Sequence, residues 1–457
     1  MKKFKSKTLF LLLLFSLSTL ASESNIVRAI GFIYIRADGS VEPSMAPILN
    51  VANSTYKLTD DIHNSIVIER NDIIVDGQGY ELSGSGFPGY RGIDLSGRSN
   101  VTIKNMEIKA FDYGVYLAGS SNNTITSTNM STNNYNGIYL VGFANNNSIL
   151  GNTIMANNAE GIYLTNSSGN TVAANDITNN KYGIRLYGFS DNNTIARNSI
   201  VAGSTCTVCS GGGMYVTGSS NYNNITANTI TNSGIYISGS ANNAIARNSI
   251  TNSGDGIYLY PSSNNNTIVG NTVVGNGGGI SLYYYSSFNT IAQNDIIGNS
   301  GNGIYLIGCA NNTMTENNIA YNADGIYLTG SSNNKIVANN IADNNRGIEL
   351  YSSSNNLIYH NNFNNTIQVA GLLNFTNTWD NGYPSGGNYW NDYRGNDTDH
   401  DGLGDSPYVV GGNNSDRYPL MTPYAISEFP SVFISVLFML ATLLVATTYR
   451  RKGKKKF

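Results

Sequence analysis

Short apolar pieces alternate with polar corners along most of this chain, and one unit keeps returning: a glycine, an apolar residue, a variable residue and a second apolar residue. It stands at Gly92 (GIDL), Gly114 (GVYL), Gly137 (GIYL), Gly161 (GIYL), Gly183 (GIRL) and Gly213 (GMYV). It continues at Gly234 (GIYI), Gly256 (GIYL), Gly279 (GISL), Gly303 (GIYL), Gly325 (GIYL) and Gly347 (GIEL). The intervals are 22, 23, 24, 22, 30, 21, 22, 23, 24, 22 and 22 residues, a steady period broken once. Each period holds two further strand-like pieces, such as Asn193-Thr194-Ile195 and Asn198-Ser199-Ile200. Because every piece alternates with period two, helical repeats of similar length are excluded. Three short strands per period, each pairing with its copy in the next unit, make a solenoid. The pattern predicts an all-β fold: a parallel β-helix of about twelve or more coils, roughly 58 Å long at ~4.8 Å per coil.

Alternation also assigns faces. In Gly303-Ile304-Tyr305-Leu306 the two aliphatic residues share the inner side and Tyr305 points outward. Asn recurs at the corners, where it tolerates left-handed backbone and forms side-chain ladders between coils.

Composition supports this reading. Only 12% of the 457 residues are charged, against roughly a quarter in an ordinary soluble domain. Asn and Gly (49 of the latter) take their place, and both resist helix interiors. A hydrophobic fraction of 40% and an aromatic fraction of 11% exclude a disordered chain.

The formal net charge of −3 averages unlike parts. Lys2, Lys3, Lys5 and Lys7 lie at one end, and Arg450, Arg451, Lys452, Lys454, Lys455 and Lys456 at the other. Setting these ten aside leaves 16 basic against 29 acidic residues, a net of −13, which excludes nucleic acid as an expected partner.

The apolar run Leu9 to Leu20, ending in Thr19-Leu20-Ala21, reads as a signal peptide cleaved near Ala21. A second run, Val432 to Thr448, spans a membrane if Phe429 and Tyr449 are included. The basic tail then stays cytoplasmic and residues 22 to about 428 lie outside the cell. A buried core helix is the alternative for each run. The predicted organisation is a signal peptide (1–21), an N-terminal cap (22–65), β-helix repeats (66–372), a C-terminal cap (373–427), a transmembrane or sorting helix (428–449) and a cytoplasmic tail (450–457).

Motifs such as Asn-Asn-Thr-Ile and Gly-Ile-Tyr-Leu resemble the right-handed parallel β-helix repeats of the NosD-like and carbohydrate-binding/sugar-hydrolase group, over roughly residues 66 to 370. The segments Ile33-Tyr34-Ile35-Arg36-Ala37-Asp38-Gly39 and Ile74-Val75-Asp76-Gly77-Gln78-Gly79-Tyr80 are similar to the start of exported archaeal members. Likewise, Ser427-Glu428-Phe429-Pro430 resembles tripartite sorting signals, so the helix after it is either processed or retained. The resemblance is specific for fold, since one scaffold hosts lyases, hydrolases, binding proteins and adhesins. Its NosD members imply copper delivery to nitrous oxide reductase. Copper favours clustered His, Met and Cys, whereas His63, His360 and His400 are scattered and the nine Met form no cluster, so copper is not supported.

Candidate chemistry falls in four places. Eight of the twelve outward tetrad positions are tyrosine: Tyr116, Tyr139, Tyr163, Tyr215, Tyr236, Tyr258, Tyr305 and Tyr327. Such a stripe fits either a sugar-binding surface or simple mutual stacking of residues with high β propensity. The 30-residue interval carries Cys206-Thr207-Val208-Cys209, which in an exported chain reads as a small disulfide loop; Cys309 reads as a small residue of the stack. Asp112, Glu160, Asp255 and Asp324, with Lys181 and Arg346, occupy corners before the tetrad glycine, and no adjacent coils carry an obvious acid pair. They are either solvated corner residues or parts of a polysaccharide-cleaving site.

The fourth place is Asp397-Thr398-Asp399-His400-Asp401-Gly402-Leu403-Gly404-Asp405. It sets oxygens at loop positions one, three, five and nine, the Leu403 carbonyl at seven, and Gly at six. It resembles the calcium loops of dockerin and thrombospondin-type repeats but has Tyr408 where a bidentate Glu is usual. Sequons such as those at Asn53, Asn166, Asn374 and Asn413 are open to glycosylation where exposed. The expected function is a surface-anchored protein that binds carbohydrate or forms part of the envelope. The alternatives are a polysaccharide lyase or glycoside hydrolase acting in the solenoid groove, and a NosD-like maturation factor for a metalloenzyme.

Overall fold

The computed structural model describes residues 31–203 and 212–426. The predicted signal peptide, Cys206 and Cys209, the C-terminal apolar run and the basic tail lie outside the described residues. Among those described, no helix is long and apolar enough to cross a membrane.

The chain winds in about 14 right-handed turns. Three sheets, of 16, 15 and 14 strands, run the length of the rod. The first collects the tetrad strands, such as Glu160–Thr165, Tyr182–Tyr187 and Asn302–Ile307. The second collects the next strand of each coil, such as Thr194–Ala196, and the third the one after, such as Ser199–Val201. Pairing between coils is parallel and in register: Ile138 lies beside Ile162, Tyr139 beside Tyr163 and Leu140 beside Leu164. Stacking begins earlier than the repeats suggest, with Phe32–Ile35 beside Ser65–Ile68, and the antiparallel Val41–Glu42 covers its free edge. The long interval does not disturb the register. Arg185 still pairs with Tyr215 across the interval between Ser199–Val201 of the third sheet and Met214–Thr217 of the first.

Two aliphatic residues of each first-sheet strand and one of each other strand face inward, and the core is a set of vertical columns. Ile184, Leu186, Ile195 and Ile200, from a single coil, are all fully buried. The tetrad glycine is fixed by space: a Cβ on Gly325 would sit 2.5 Å from the Gly347 carbonyl oxygen and 2.7 Å from Ile341 Cγ2.

The corners are held by asparagine ladders. In each rung the backbone N–H and the side-chain Nδ2 of one Asn donate to Oδ1 of the next. Asn198 reaches Asn228 at 3.0 Å by both donors, and Asn228 reaches Asn248 at 3.0 Å by both. Asn228 Nδ2 also donates to the Ile195 carbonyl at 2.9 Å, so a buried amide is satisfied on every side. One ladder runs through Asn123, Asn147 and Asn170 to Asn377, and a second through Asn152 and Asn175 to Asn388.

Both ladders end in the C-terminal cap. Asn414 accepts from Asn377 N–H (2.9 Å) and Trp379 Nε1 (3.1 Å). Asp416 accepts from Asn388 N–H (2.7 Å) and Trp390 Nε1 (2.9 Å). Burial pushes the Asp416 carboxyl up to about 6. Trp390 closes the core, stacked between Phe363 (4.5 Å) and Tyr408 (4.3 Å).

Replacing Asn228 with Ala strands two donors of Asn198. We expect the variant to lose about 2–3 kcal/mol in a denaturant titration, and a loss below ~0.5 kcal/mol would show that the ladder does not hold the corner.

Candidate functional site

The outer surface of the first sheet is the one large face with a chemical pattern. Its central column is Asp94, Tyr116, Tyr139, Tyr163, Arg185, Tyr215, Tyr236, Tyr258, Ser281, Tyr305, Tyr327 and Glu349, each in register with the next. All eight tyrosines predicted for the stripe are there, and all are half-buried.

The coil spacing forces their rings onto one another. Tyr139 and Tyr163 stack at 5.1 Å and 7°, and Tyr236 and Tyr258 at 5.0 Å and 13°. Tyr305 meets Tyr327 edge-on at 5.0 Å. Where Ser281 breaks the column, Tyr283 from the same strand bridges to Tyr258 (4.9 Å) and Tyr305 (5.5 Å). Where Arg185 breaks it, the guanidinium lies 5.4 Å from the rings of Tyr163 and Tyr187. Stacked rings turn their faces to each other and leave edges and hydroxyls outward. Burial pushes the phenols of Tyr139, Tyr215 and Tyr258 up to about 12, so they stay neutral donors. The hydroxyls of Tyr139, Tyr258, Tyr305 and Tyr327 make no hydrogen bond to another described residue. Tyr283 and Tyr351, which belong to this face, were missed in the sequence because they stand outside the tetrad.

Charges on this face come as pairs between or within coils. Arg91 pairs with Asp94 (2.5 Å) and lies 3.5 Å over the Tyr116 ring. Beside that pair is a cavity of about 260 Å³ lined by Phe32, Ser65, Val67 and Gly89. Glu160 pairs with Arg185 at 3.0 Å. Asp112 accepts from Gly89 N–H (2.6 Å) and Asn134 Nδ2 (3.0 Å), a corner role, and Lys181 sits 5.7 Å from the Tyr182 ring.

The expectation that no adjacent coils carry an acid pair is corrected here. Asp324 and Glu349, on neighbouring coils, share Arg346, at 2.6 Å through Nε and 2.9 Å through Nη1. The two acids are 25 residues apart and sit at different tetrad positions, so a scan for acids at equivalent corners passes over them. Burial, with Asp324 adding to it, raises the Glu349 carboxyl above the usual range, and Tyr351 donates to it at 3.1 Å. Asp255 has no cationic partner among the described residues; burial raises its carboxyl too, and Ser281 donates to it at 3.2 Å.

The acidic loop lies in the C-terminal cap. Carboxylate oxygens of Asp397, Asp399 and Asp401 lie within 4.8 Å of one another, and Gly402 takes φ +88° at the turn. Asp397 also accepts from the N–H groups of Asp401 (3.1 Å) and Gly402 (3.0 Å). Leu403 is buried. Asp405 stands apart from the three, bonded to Thr398 N–H (2.9 Å) and hydroxyl, which hold its carboxyl below the usual range.

The remaining predicted donors are dispersed. His63 Nδ1 bonds Ser83 Oγ at 2.8 Å, and His360 Nε2 bonds the Ser385 carbonyl at 2.8 Å and stacks on Tyr424. Cys309 is buried in a serine column, its N–H donating to Ser331 Oγ, and burial pushes its thiol up to about 11.

A family model described as periplasmic copper-binding protein (NosD) matches residues 36–208 and 260–395, and one for a right-handed β-helix region matches residues 197–296. The comparison with curated proteins gave no match. Among solved structures, a variant of the periplasmic alginate epimerase AlgG is 16% identical over 72% of this chain and 78% of its own, with a TM-score of 0.39. The Dettilon tailspike protein is 20% identical over 68% and 64%, with a TM-score of 0.44. The A-module of mannuronan C-5 epimerase AlgE6 from Azotobacter vinelandii is 14% identical over 69% and 89%, with a TM-score of 0.40.

Replacing Arg346 with Met leaves Asp324 and Glu349 facing each other. We expect a loss of about 2–3 kcal/mol at pH 7, less than for a fully buried pair because the Arg346 head is wetted. The sign follows from the raised Glu349 carboxyl: its favourable contribution is complete below the unfolded value of 4.5 and is lost as pH rises through the folded value. Denaturant midpoints from pH 4 to 8 should therefore fall more steeply with rising pH in the variant, and parallel curves would break the assignment.

Proposed function

The chain belongs to the NosD family, and from that premise we propose that it is a carbohydrate-binding β-helix protein of the cell envelope, which holds a glycan lengthwise against the outer face of the first sheet. The observation that carries the reading is the axial row of neutral tyrosine hydroxyls, free of partners at Tyr139, Tyr258, Tyr305 and Tyr327 among the described residues. Hydroxyls repeated along a rod at one-coil spacing match a ligand that repeats its own hydroxyls along its length. Export through the segment at 1–21 and anchoring or sorting through the apolar segment at 428–449 rest on the sequence and belong to the same proposal.

Copper does not fit the described residues. The histidines are far apart in the chain and each bonded elsewhere or held in the acidic loop, Cys309 is a buried neutral thiol, and Met106, Met130, Met214 and Met314 fill the core. The one cluster of ligating groups found among the described residues is all oxygen, which suits a hard cation. We assign calcium to Asp397, Asp399 and Asp401, with the Leu403 carbonyl as a further ligand and Asp405 outside the set until Thr398 releases it.

A second reading, cleavage of the bound polysaccharide, is favoured by one observation: Asp324 and Glu349 share Arg346 on the same face as Tyr327 and Tyr351. Release of reducing ends that disappears in Glu349→Gln would establish it.

Two measurements test the main proposal. On a glycan array the protein should bind a polysaccharide, and Tyr139→Phe with Tyr258→Phe, which keep the rings and remove two hydroxyls, should weaken binding about tenfold without moving Tm; unchanged affinity would sink the role of the hydroxyl row. Calorimetric titration should give a calcium Kd of about 10⁻⁴–10⁻³ M, abolished by Asp399→Asn, and no saturable heat would refute the calcium loop.

A further inference from the structure

A ladder of half-buried tyrosines packed on one another offers little ring face to a ligand, yet sugar rings pack on aromatic faces. The faces are found elsewhere. At the turn leaving the first sheet, the residue four positions before the ladder asparagine adopts a left-handed backbone, preceded in the longer corners by a second such residue (Gly142, Gly188, Gly218 and Tyr284), and most coils fill it with Gly, Asn or Ser, such as Gly119, Asn166, Ser219, Gly239 and Gly308. In three coils it is aromatic instead: Phe143 (φ 68°), Phe189 (φ 58°) and Tyr285 (φ 64°). Three residues further along the same turn is a second left-handed position, held by Asn122, Asn146, Asn242 and Asn311 among others. Two coils replace it with Tyr222 (φ 57°) and Phe288 (φ 59°).

These five side chains are 75%, 65%, 75%, 61% and 59% exposed in the order Phe143, Phe189, Tyr285, Tyr222, Phe288. None makes a ring contact with another described residue, so no aromatic neighbour covers these mostly exposed rings. A side chain with a Cβ in the left-handed region is disfavoured, and an exposed ring gains little from folding. Neighbouring coils turn the same corner with Gly, Asn or Ser, so the fold itself does not ask for these rings.

Their layout identifies the occupant. Along the rod Phe189 is two coils from Phe143, Tyr222 one coil further, and Tyr285 with Phe288 three beyond that. The six coil steps span ~29 Å at strand spacing. The rings are separated by the Asn, Ser and Gly of the intervening coils rather than merged into one apolar patch, which favours a ligand alternating C–H faces with hydroxyls over an apolar protein surface. The row is continuous with the tyrosine face through Tyr284, whose ring lies 5.6 Å from Tyr260 and 6.0 Å from Tyr283.

We propose that Phe143, Phe189, Tyr222, Tyr285 and Phe288 are stacking platforms for a polysaccharide chain lying along this corner, parallel to the axis of the rod. The inference rests on the carbohydrate reading and adds to it where the sugar faces pack, while the tyrosine ladder supplies hydroxyls alongside.

The test is affinity electrophoresis of the full-length protein through gels containing alginate, pectin, xylan or mannan. It compares the protein with a variant carrying Phe143→Asn, Phe189→Asn, Tyr222→Asn, Tyr285→Asn and Phe288→Asn. Asparagine is the residue other coils use at such corners, so the variant should keep its fold, checked by an unchanged Tm. Retardation of the parent by one of these polysaccharides, reduced at least tenfold in the variant, supports the proposal. Equal retardation of parent and folded variant overturns it and leaves the carbohydrate reading standing. A parent retarded by none of the four, nor bound on the glycan array, overturns the carbohydrate reading and this inference with it.

Discussion

Every coil lies one strand spacing above the last and in register with it, so each residue sits on its own copy. From that constraint the rest follows. An inward aliphatic becomes a column of aliphatics, and a corner asparagine becomes a ladder whose donors and acceptors mesh because successive amides are a hydrogen bond apart. The glycine that opens each tetrad is required because the next coil's carbonyl already fills the space a Cβ would take. The solenoid must also be ended, and Asn414 and Asp416 end it by supplying acceptors to the last rung of two ladders while Trp379 and Trp390 close the core.

The same constraint shapes the surface. Tyrosines repeated at one-coil spacing have no freedom to present their faces, so they stack on each other and offer a line of edges and hydroxyls. Interruptions are repaired locally, by Tyr283 beside Ser281 and by the Arg185 guanidinium between Tyr163 and Tyr187. An isolated charge on such a face is poorly solvated, and most of the acids here are accordingly paired with an arginine on their own or the next coil. A row of largely exposed rings appears instead where the chain leaves the sheet, at corners whose left-handed backbone carries Phe or Tyr in place of Gly, Ser or Asn. Hydroxyl row and exposed rings thus lie side by side along the rod.

Membership of the NosD family brings a fold and a name that speaks of copper, but the donor set decides what a site can hold. Among the described residues, soft and nitrogen donors are dispersed and oxygen donors are gathered in the C-terminal cap, the arrangement on which the calcium proposal rests.

The sequence by itself determined the coil. The Gly-apolar-x-apolar period, the two short strands that follow it and the corner asparagines specify winding, inner face and outer face, because all three are local and repeat. It also placed the eight tyrosines on one face and brought the acidic loop into view, since alternation and ligand spacing are read along the chain. Tertiary structure alone decided what meets across coils. That Asp324 and Glu349 share one arginine, that Asp405 turns to Thr398, and that the tyrosine rings pack on each other while Phe143, Phe189 and Tyr285 stay largely exposed are outcomes of side-chain angle and burial. Residues some 22 positions apart become neighbours only once the coils are stacked, and a linear pattern names the column without naming the contact.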